Sequence, residues 1–174
     1  SAPNRSTRRN ASTISISVSG PTGWDLVYDY NSLELLPGEL SKWNISITPR
    51  EGERYQEDTF DTSVEVKGGN VGTHSQVLKV ALKKITLMEA SPDKTSPDVV
   101  EGNEVPINVT LQNNGNHLIE LDLSIQTPEG LQITFEPGSV SIEPDDDVVI
   151  KIKVMVVKVS MEGEVSFSLE YSGD

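Results

Sequence analysis

The sequence predicts an all-β protein made of two sandwich-like domains in tandem, and three observations predict it. Apolar residues recur at every second position through most of the chain. Turn formers separate these runs at short intervals, as in "SGPTG", "LPGE", "KGGN", "NNGN", "TPEG", "EPGS" and "EPDDD". One long passage is also written twice: "PTGWDLVYDYNSLELLPGE" from Pro21 returns as "PEGLQITFEPGSVSIEPDD" from Pro128, 107 positions later. Alternation of period two sets one face of a strand on a core and the other in water. Short strands punctuated by Gly, Pro, Asn and Asp are the pattern of antiparallel sandwiches.

Each element can be justified in turn. Ile14, Ile16 and Val18 alternate with serines, and Leu26, Tyr28 and Tyr30 follow; Leu33 and Leu35, then Trp43, Ile45 and Ile47, continue the habit. Phe60, Thr62, Val64 and Val66 make the next strand, and "KGGNVGTH" reads as a hairpin into Leu78, Val80 and Leu82. The second half offers Val105–Leu111, Ile119–Ile125, Leu131–Phe135, Val140 with Ile142, Ile150–Val156 and Val165–Tyr171. No segment carries a 3.6-residue apolar stripe, so no helix is predicted.

The repeat aligns without a gap. Under the 107-residue shift Ile14, Ile16 and Val18 fall on Leu121, Leu123 and Ile125, and Gly23-Trp24 falls on Gly130-Leu131. Trp43, Ile45 and Ile47 land on Ile150, Ile152 and Val154, and Phe60, Thr62 and Val64 land on Phe167, Leu169 and Tyr171. Chance alternation aligns phases, but it does not also align glycines and prolines, so two copies of one β-domain are expected. The apolar phase breaks after Lys83-Lys84, and a strand cannot change its buried face without a kink. The domains are therefore expected over 1–84 and 85–174, joined without a Gly/Ser-rich linker. In this frame the first copy lacks the counterpart of Val105–Leu111 at its N-terminal side. The second copy lacks the counterpart of Leu78–Leu82 as its last strand.

Composition narrows the function classes. There is no cysteine, which excludes disulfides, zinc-thiolate sites and cysteine nucleophiles. No run approaches the roughly 18–20 apolar residues of a membrane helix. The first ten residues, "SAPNRSTRRN", are polar and basic and carry no apolar signal-peptide core. The net charge of −13 is uneven: residues 85–174 hold seventeen acids against four bases. Such a surface repels phosphate backbones, so nucleic acid is not an expected partner.

With "NNGN" at 113–116, then an alternating strand, then Pro-x-Gly-Trp or Pro-x-Gly-Leu, then Leu-x-x-Pro-Gly-Glu, the chain resembles a family of prokaryotic immunoglobulin-like modules. These are the CARDB-like and alpha-galactosidase-associated NPCBM-type domains, common in archaeal S-layer-related and membrane-anchored surface proteins. The first copy keeps Gly23-Trp24 and Pro37-Gly38-Glu39; the second has Leu131 for the Trp and Pro144-Asp145-Asp146 for Pro-Gly-Glu. The resemblance implies immunoglobulin-like sandwiches in tandem array, acting as stalk, spacer or adhesive module without catalysis.

A search for chemistry finds little. His74 and His117 are each expected at the surface of a loop, and neither stands in a metal-ligand spacing. No GxSxG elbow accompanies the serines, and "GGNVG" lacks the lysine and helix of a phosphate loop. Asp145–Asp147 with Glu143 is an acidic turn; calcium wants six to eight oxygens, and no EF-hand spacing supplies them. No catalytic, metal or cofactor residue is therefore assigned. Four Asn-x-Ser/Thr sequons, at Asn4, Asn10, Asn44 and Asn108, are candidate N-glycosylation sites. Asn44 and Asn108 lie opposite the apolar phase of their strands and should be exposed. Trp24 and Trp43 could form a sugar-binding platform, but the second copy has aliphatics at both places, which favours buried packing.

The expected function is a non-enzymatic tandem module of a cell-surface or secreted repeat protein, extracellular and archaeal in type, serving as spacer, adhesion or envelope-assembly element. The alternative is a carbohydrate-binding or accessory module attached to a glycoside hydrolase. Expected partners are proteins or glycans at the cell surface. Unpaired strand edges, near Ile14–Val18 or Val165–Tyr171, are expected to drive self-association.

Overall fold

The computed structural model describes residues 10–69, 72–157 and 165–173. The protein is all-β: among the described residues there are thirteen strands and no helix. The chain divides into two compact units, Ser1–Leu82 and Lys83–Asp174.

The first unit holds β1 (Ser12–Ser19), β2 (Asp25–Tyr28), β3 (Ser32–Leu35), β4 (Ile45–Thr48), β5 (Phe60–Gly68) and β6 (Gly72–Val80). They make a four-stranded sheet in the order β3-β1-β5-β6 and a two-stranded sheet, β2-β4. The second unit holds β7 (Met88–Pro92), β8 (Glu104–Asn113), β9 (Ile119–Ile125), β10 (Leu131–Glu136), β11 (Ser139–Ile142), β12 (Asp147–Val156) and β13 (Leu169–Gly173). Here the orders are β10-β12-β8-β7 and β11-β9-β13, and every pairing among the described residues is antiparallel.

A shift of 107 carries the pairing of the first unit onto the second. Ile14 faces Leu33 across β1–β3, and Leu121 faces Val140 across β9–β11. Leu26 faces Ile47 across β2–β4, and Ile133 faces Val154 across β10–β12. The turns follow. Trp24 N donates to Pro21 O as Leu131 N donates to Pro128 O, with Gly23 and Gly130 both at positive φ. Glu39 N donates to Leu36 O as Asp146 N donates to Glu143 O. Both of these are Pro-led turns needing a left-handed third residue, filled by Gly38 (φ 86°) and by Asp145 (φ 67°). The correspondence slips at the last shared strand. Val18 faces Val64, but Ile125 faces Leu169, so Val64 corresponds to Leu169 rather than to Tyr171. A slip of two residues keeps every side chain on its own face.

Three expectations need correction. Ile14–Val18 is not an edge, because β1 is held by β3 on one side and β5 on the other. The alternation from Val165 yields a strand only over Leu169–Gly173, although Phe167 still packs on the core. The phase change after Lys84 also conceals a short strand, β7, which pairs with the outer side of β8. Among the described residues β13 stands at the end of its sheet, beside β9. In the first unit β2 and β4 pair only with each other among the described residues.

The second unit has the larger core. Ile107, Val109, Leu111, Ile150, Ile152 and Val154 of one sheet meet Ile119, Leu121, Leu123, Val140 and Ile142 of the other. Leu111 and Ile150 are wholly buried; each such side chain stabilises by about 1.5–3 kcal/mol relative to exposure. The first unit buries less. Among its described residues the buried hydrophobic ones are Ile16 and Trp24, with Trp24 tilted on Phe60 at 4.6 Å between ring centroids.

Candidate functional site

The polar residues singled out by sequence prove to be occupied in holding the chain. Asn113 ends β8 with its side chain pointing inward, fully buried. Its Nδ2 donates to His117 O at 2.8 Å and to Ile142 O at 2.9 Å, and its Oδ1 accepts from Gly115 N at 2.9 Å. Asn116 grips the chain entering the unit: its Oδ1 accepts from Ile85 N and its Nδ2 donates to Lys83 O. His117 completes the clamp. It is buried, not exposed as a loop histidine would be, with Nδ1 at 3.0 Å from Ile85 O and Nε2 at 3.4 Å from Thr86 Oγ1. Asn114 N adds a bond to Leu87 O at 2.8 Å. "NNGNH" is thus a fastening for residues 83–87 rather than a plain turn. Its clue in the sequence is parity: 113 and 117 continue the odd-numbered inward faces of β8 and β9. His74, by contrast, is exposed on β6.

The acidic turn behaves similarly. Asp145 N donates to Asn113 O, and Asn113 N donates to Asp146 O, so the turn backs onto the clamp. Among the described residues no group of three or more His, Asp or Glu side chains could hold a metal ion.

Of the four sequons, Asn4 lies outside the described residues, and Asn10 is exposed. Asn44 is exposed as expected, but Asn108 is half-buried. Each of these two asparagines is bound to an aspartate that the sequence reading missed. Asn44 donates from both its backbone N and its Nδ2 to Asp29 Oδ2 at 2.9 Å. Asn108 donates from its backbone N to Asp93 Oδ1 at 2.8 Å and from Nδ2 to Asp93 Oδ2 at 2.9 Å. The amide nitrogen a glycan would use is therefore already a donor in both. The Asn108 backbone N–H holds the Asp93 carboxyl below the usual carboxylate range, with the Asn108 side chain and Lys94 acting in the same direction.

The tryptophans differ from one another. Trp24 is buried, and its Nε1 donates to Glu53 Oε2 at 2.8 Å, an oxygen also held by Arg50 Nε at 2.9 Å. Trp43, expected to be buried like Ile150, is half-buried, as is Leu131 in the second unit. The Trp43 ring leans on Tyr28 with centroids 5.5 Å apart, and its Nε1 donates to Tyr30 O at 2.8 Å. A shallow depression of about 350 Å³ lies over β9, β11 and β13, lined outwardly by Glu120, Asp122, Ser139, Ser141 and Ser172. It gathers two carboxylates and three hydroxyls but no nucleophile–base pair.

Comparison with known proteins adds little. No family model matches the chain, and no curated protein does. The chain is similar to a crystal structure of a protein of unknown function from Porphyromonas gingivalis W83. Identity is 20% and the TM-score 0.33, over 84% of this chain and 70% of that one.

Proposed function

We propose that the chain is a non-enzymatic module of two tandem immunoglobulin-like β-sandwich units, serving as spacer, adhesion or envelope-assembly element in a cell-surface or secreted repeat protein. One observation carries this reading. The same strand registers and the same turns recur under a shift of 107 residues, so the chain repeats a scaffold rather than building one site across it. The polar side chains that could have served chemistry support the same view, because Asn113, Asn116, His117, Asp93 and Asp29 are spent on backbone and amide partners. An acidic composition and the exposed sequon asparagine Asn10 suit an extracellular setting.

Stretching single full-length chains between the termini tests the proposal. A spacer of two units should give two unfolding steps, each releasing about 300 Å of contour at about 3.6 Å per residue. A single step of about 600 Å would overturn the two-unit reading.

A further inference from the structure

We propose that Asn114-Gly115 is a deamidation site that the fold holds latent. While residues 83–87 stay fastened the site is blocked; once they open, it converts irreversibly to isoaspartate and leaves them unfastened. Of the ten asparagines in the chain, Asn114 alone precedes a glycine. In such a pair the Gly115 nitrogen, losing its proton to solvent base, attacks the Asn114 side-chain carbonyl carbon; a cyclic succinimide closes and ammonia leaves. Water then opens the ring to aspartate, or to isoaspartate with the main chain rerouted through the side-chain carbon. Glycine allows this closure most readily, because no β-carbon obstructs it. Packing nonetheless demands glycine: a β-carbon at Gly115 would collide with Ile85 O and stand 3.2 Å from Leu87 N. The close approach that fastens the chain thus imposes the labile pair.

In the fastened state the groups that must move are each held. Gly115 N donates to Asn113 Oδ1 at 2.9 Å, Asn114 Nδ2 donates to Glu89 Oε2 at 3.3 Å, and Asn114 N donates to Leu87 O at 2.8 Å. Ring closure would pull the Gly115 nitrogen off Asn113 Oδ1 and leave an acceptor of a fully buried amide unpaired. Reaction therefore proceeds from the open state, in proportion to its population. Asn114 itself is exposed, so water reaches the ring. The product cannot refasten. Isoaspartate inserts an extra main-chain carbon between Asn113 and Asn116. The bonds from Asn116 N to Ile85 O at 3.1 Å and from Ile85 N to Asn116 Oδ1 at 2.8 Å depend on the present spacing, as does His117 Nδ1 beside Ile85 O. Either product also sets a second carboxylate where the amide now holds Glu89, and like charges repel.

The test incubates the full chain at mildly alkaline pH, folded and in guanidinium chloride. Asn114 is followed by peptide mass mapping with enzymatic labelling of isoaspartate. Conversion should be slower in the folded chain by about tenfold or more, as an opening equilibrium in a packed segment dictates. Folded chains that have converted should show a lower urea midpoint for the second unit. Their tryptophan midpoint should stay in place, since both tryptophans lie in the first unit. Asn114→Ala chains aged alongside should keep their own midpoint. The comparison in guanidinium requires no variant to fold. Equal rates in the folded and unfolded chain overturn the proposal. So does conversion that leaves the second unit's midpoint unmoved, or an equal loss in the aged Asn114→Ala chain. The inference goes beyond the module reading, and its failure would leave the two unfolding steps untouched.

Discussion

Asn113 is the residue whose loss should cost the second unit most for its size. Its amide makes three hydrogen bonds at 2.8–2.9 Å in a fully buried position, two to carbonyl oxygens and one from an N–H. An Asn113→Ala chain forfeits about 1 kcal/mol net per bond and strands backbone groups whose burial without a partner costs about 1–3 kcal/mol each. Partial relaxation recovers some of this, so a total of about 3–5 kcal/mol is expected, a large share of the roughly 5–15 kcal/mol that stabilises a domain. Asn113→Asp keeps the shape but sets a carboxylate against two carbonyl oxygens. Its folded-state pKa must therefore rise above the unfolded value. The damage should be least at acid pH and should grow as pH rises through that folded value. Urea unfolding followed at two wavelengths separates the units, because both tryptophans, Trp24 and Trp43, belong to the first. Circular dichroism should show the second unit's transition moving by roughly 2 M for the Ala variant, given typical urea slopes. The tryptophan midpoint should stay in place. A loss below about 1 kcal/mol, or an equal move of the tryptophan transition, would refute the clamp.

Other substitutions probe other features. Asp145→Gly should stabilise the second unit by about 0.5–1 kcal/mol in the same urea assay, because Asp145 holds a left-handed conformation that its counterpart Gly38 adopts freely. Thr62 is fully buried with its Oγ1 unpartnered. Thr62→Val should therefore raise the tryptophan-reported midpoint, by about 1 kcal/mol of stability, with no change in shape. Asp93 is held below its ordinary pKa by the Asn108 N–H. Its contribution is present above the unfolded value and lost as pH falls through the folded one. Asp93→Asn should accordingly flatten the acid side of the stability–pH curve, which thermal melts across pH 2–6 would read.

Strand positions were legible because each strand buries one parity of side chain, odd in β8 and β9 and even in β11 and β12. The odd-numbered row from Val105 to Leu111 and on through Leu123 needs no tertiary information to be seen. The turns were legible for a similar reason, since Pro-led turns with a left-handed third residue admit few residue types. What escaped is what depends on partners distant in sequence. His117 and Asn113 looked like loop residues because their composition favours turns, yet their parity put them inside. The slip of two residues at β13 is invisible to a gapless alignment, because it leaves the alternation intact. Asp29 and Asp93 carry no pattern at all: each is fifteen residues from the asparagine it holds. β7 was hidden by its length, five residues ending in Pro92 at the margin of a sheet.

The account stands or falls on the shared frame of the two units, and cross-strand proton contacts measured by nuclear magnetic resonance test it most directly. It predicts contacts between Leu26 and Ile47 and between Tyr28 and Ile45. The equivalent contacts, Ile133 with Val154 and Phe135 with Ile152, should appear in the second unit, and Ile125 should touch Leu169. Contacts in either unit displaced by one residue would put the opposite faces inward and contradict the repeat.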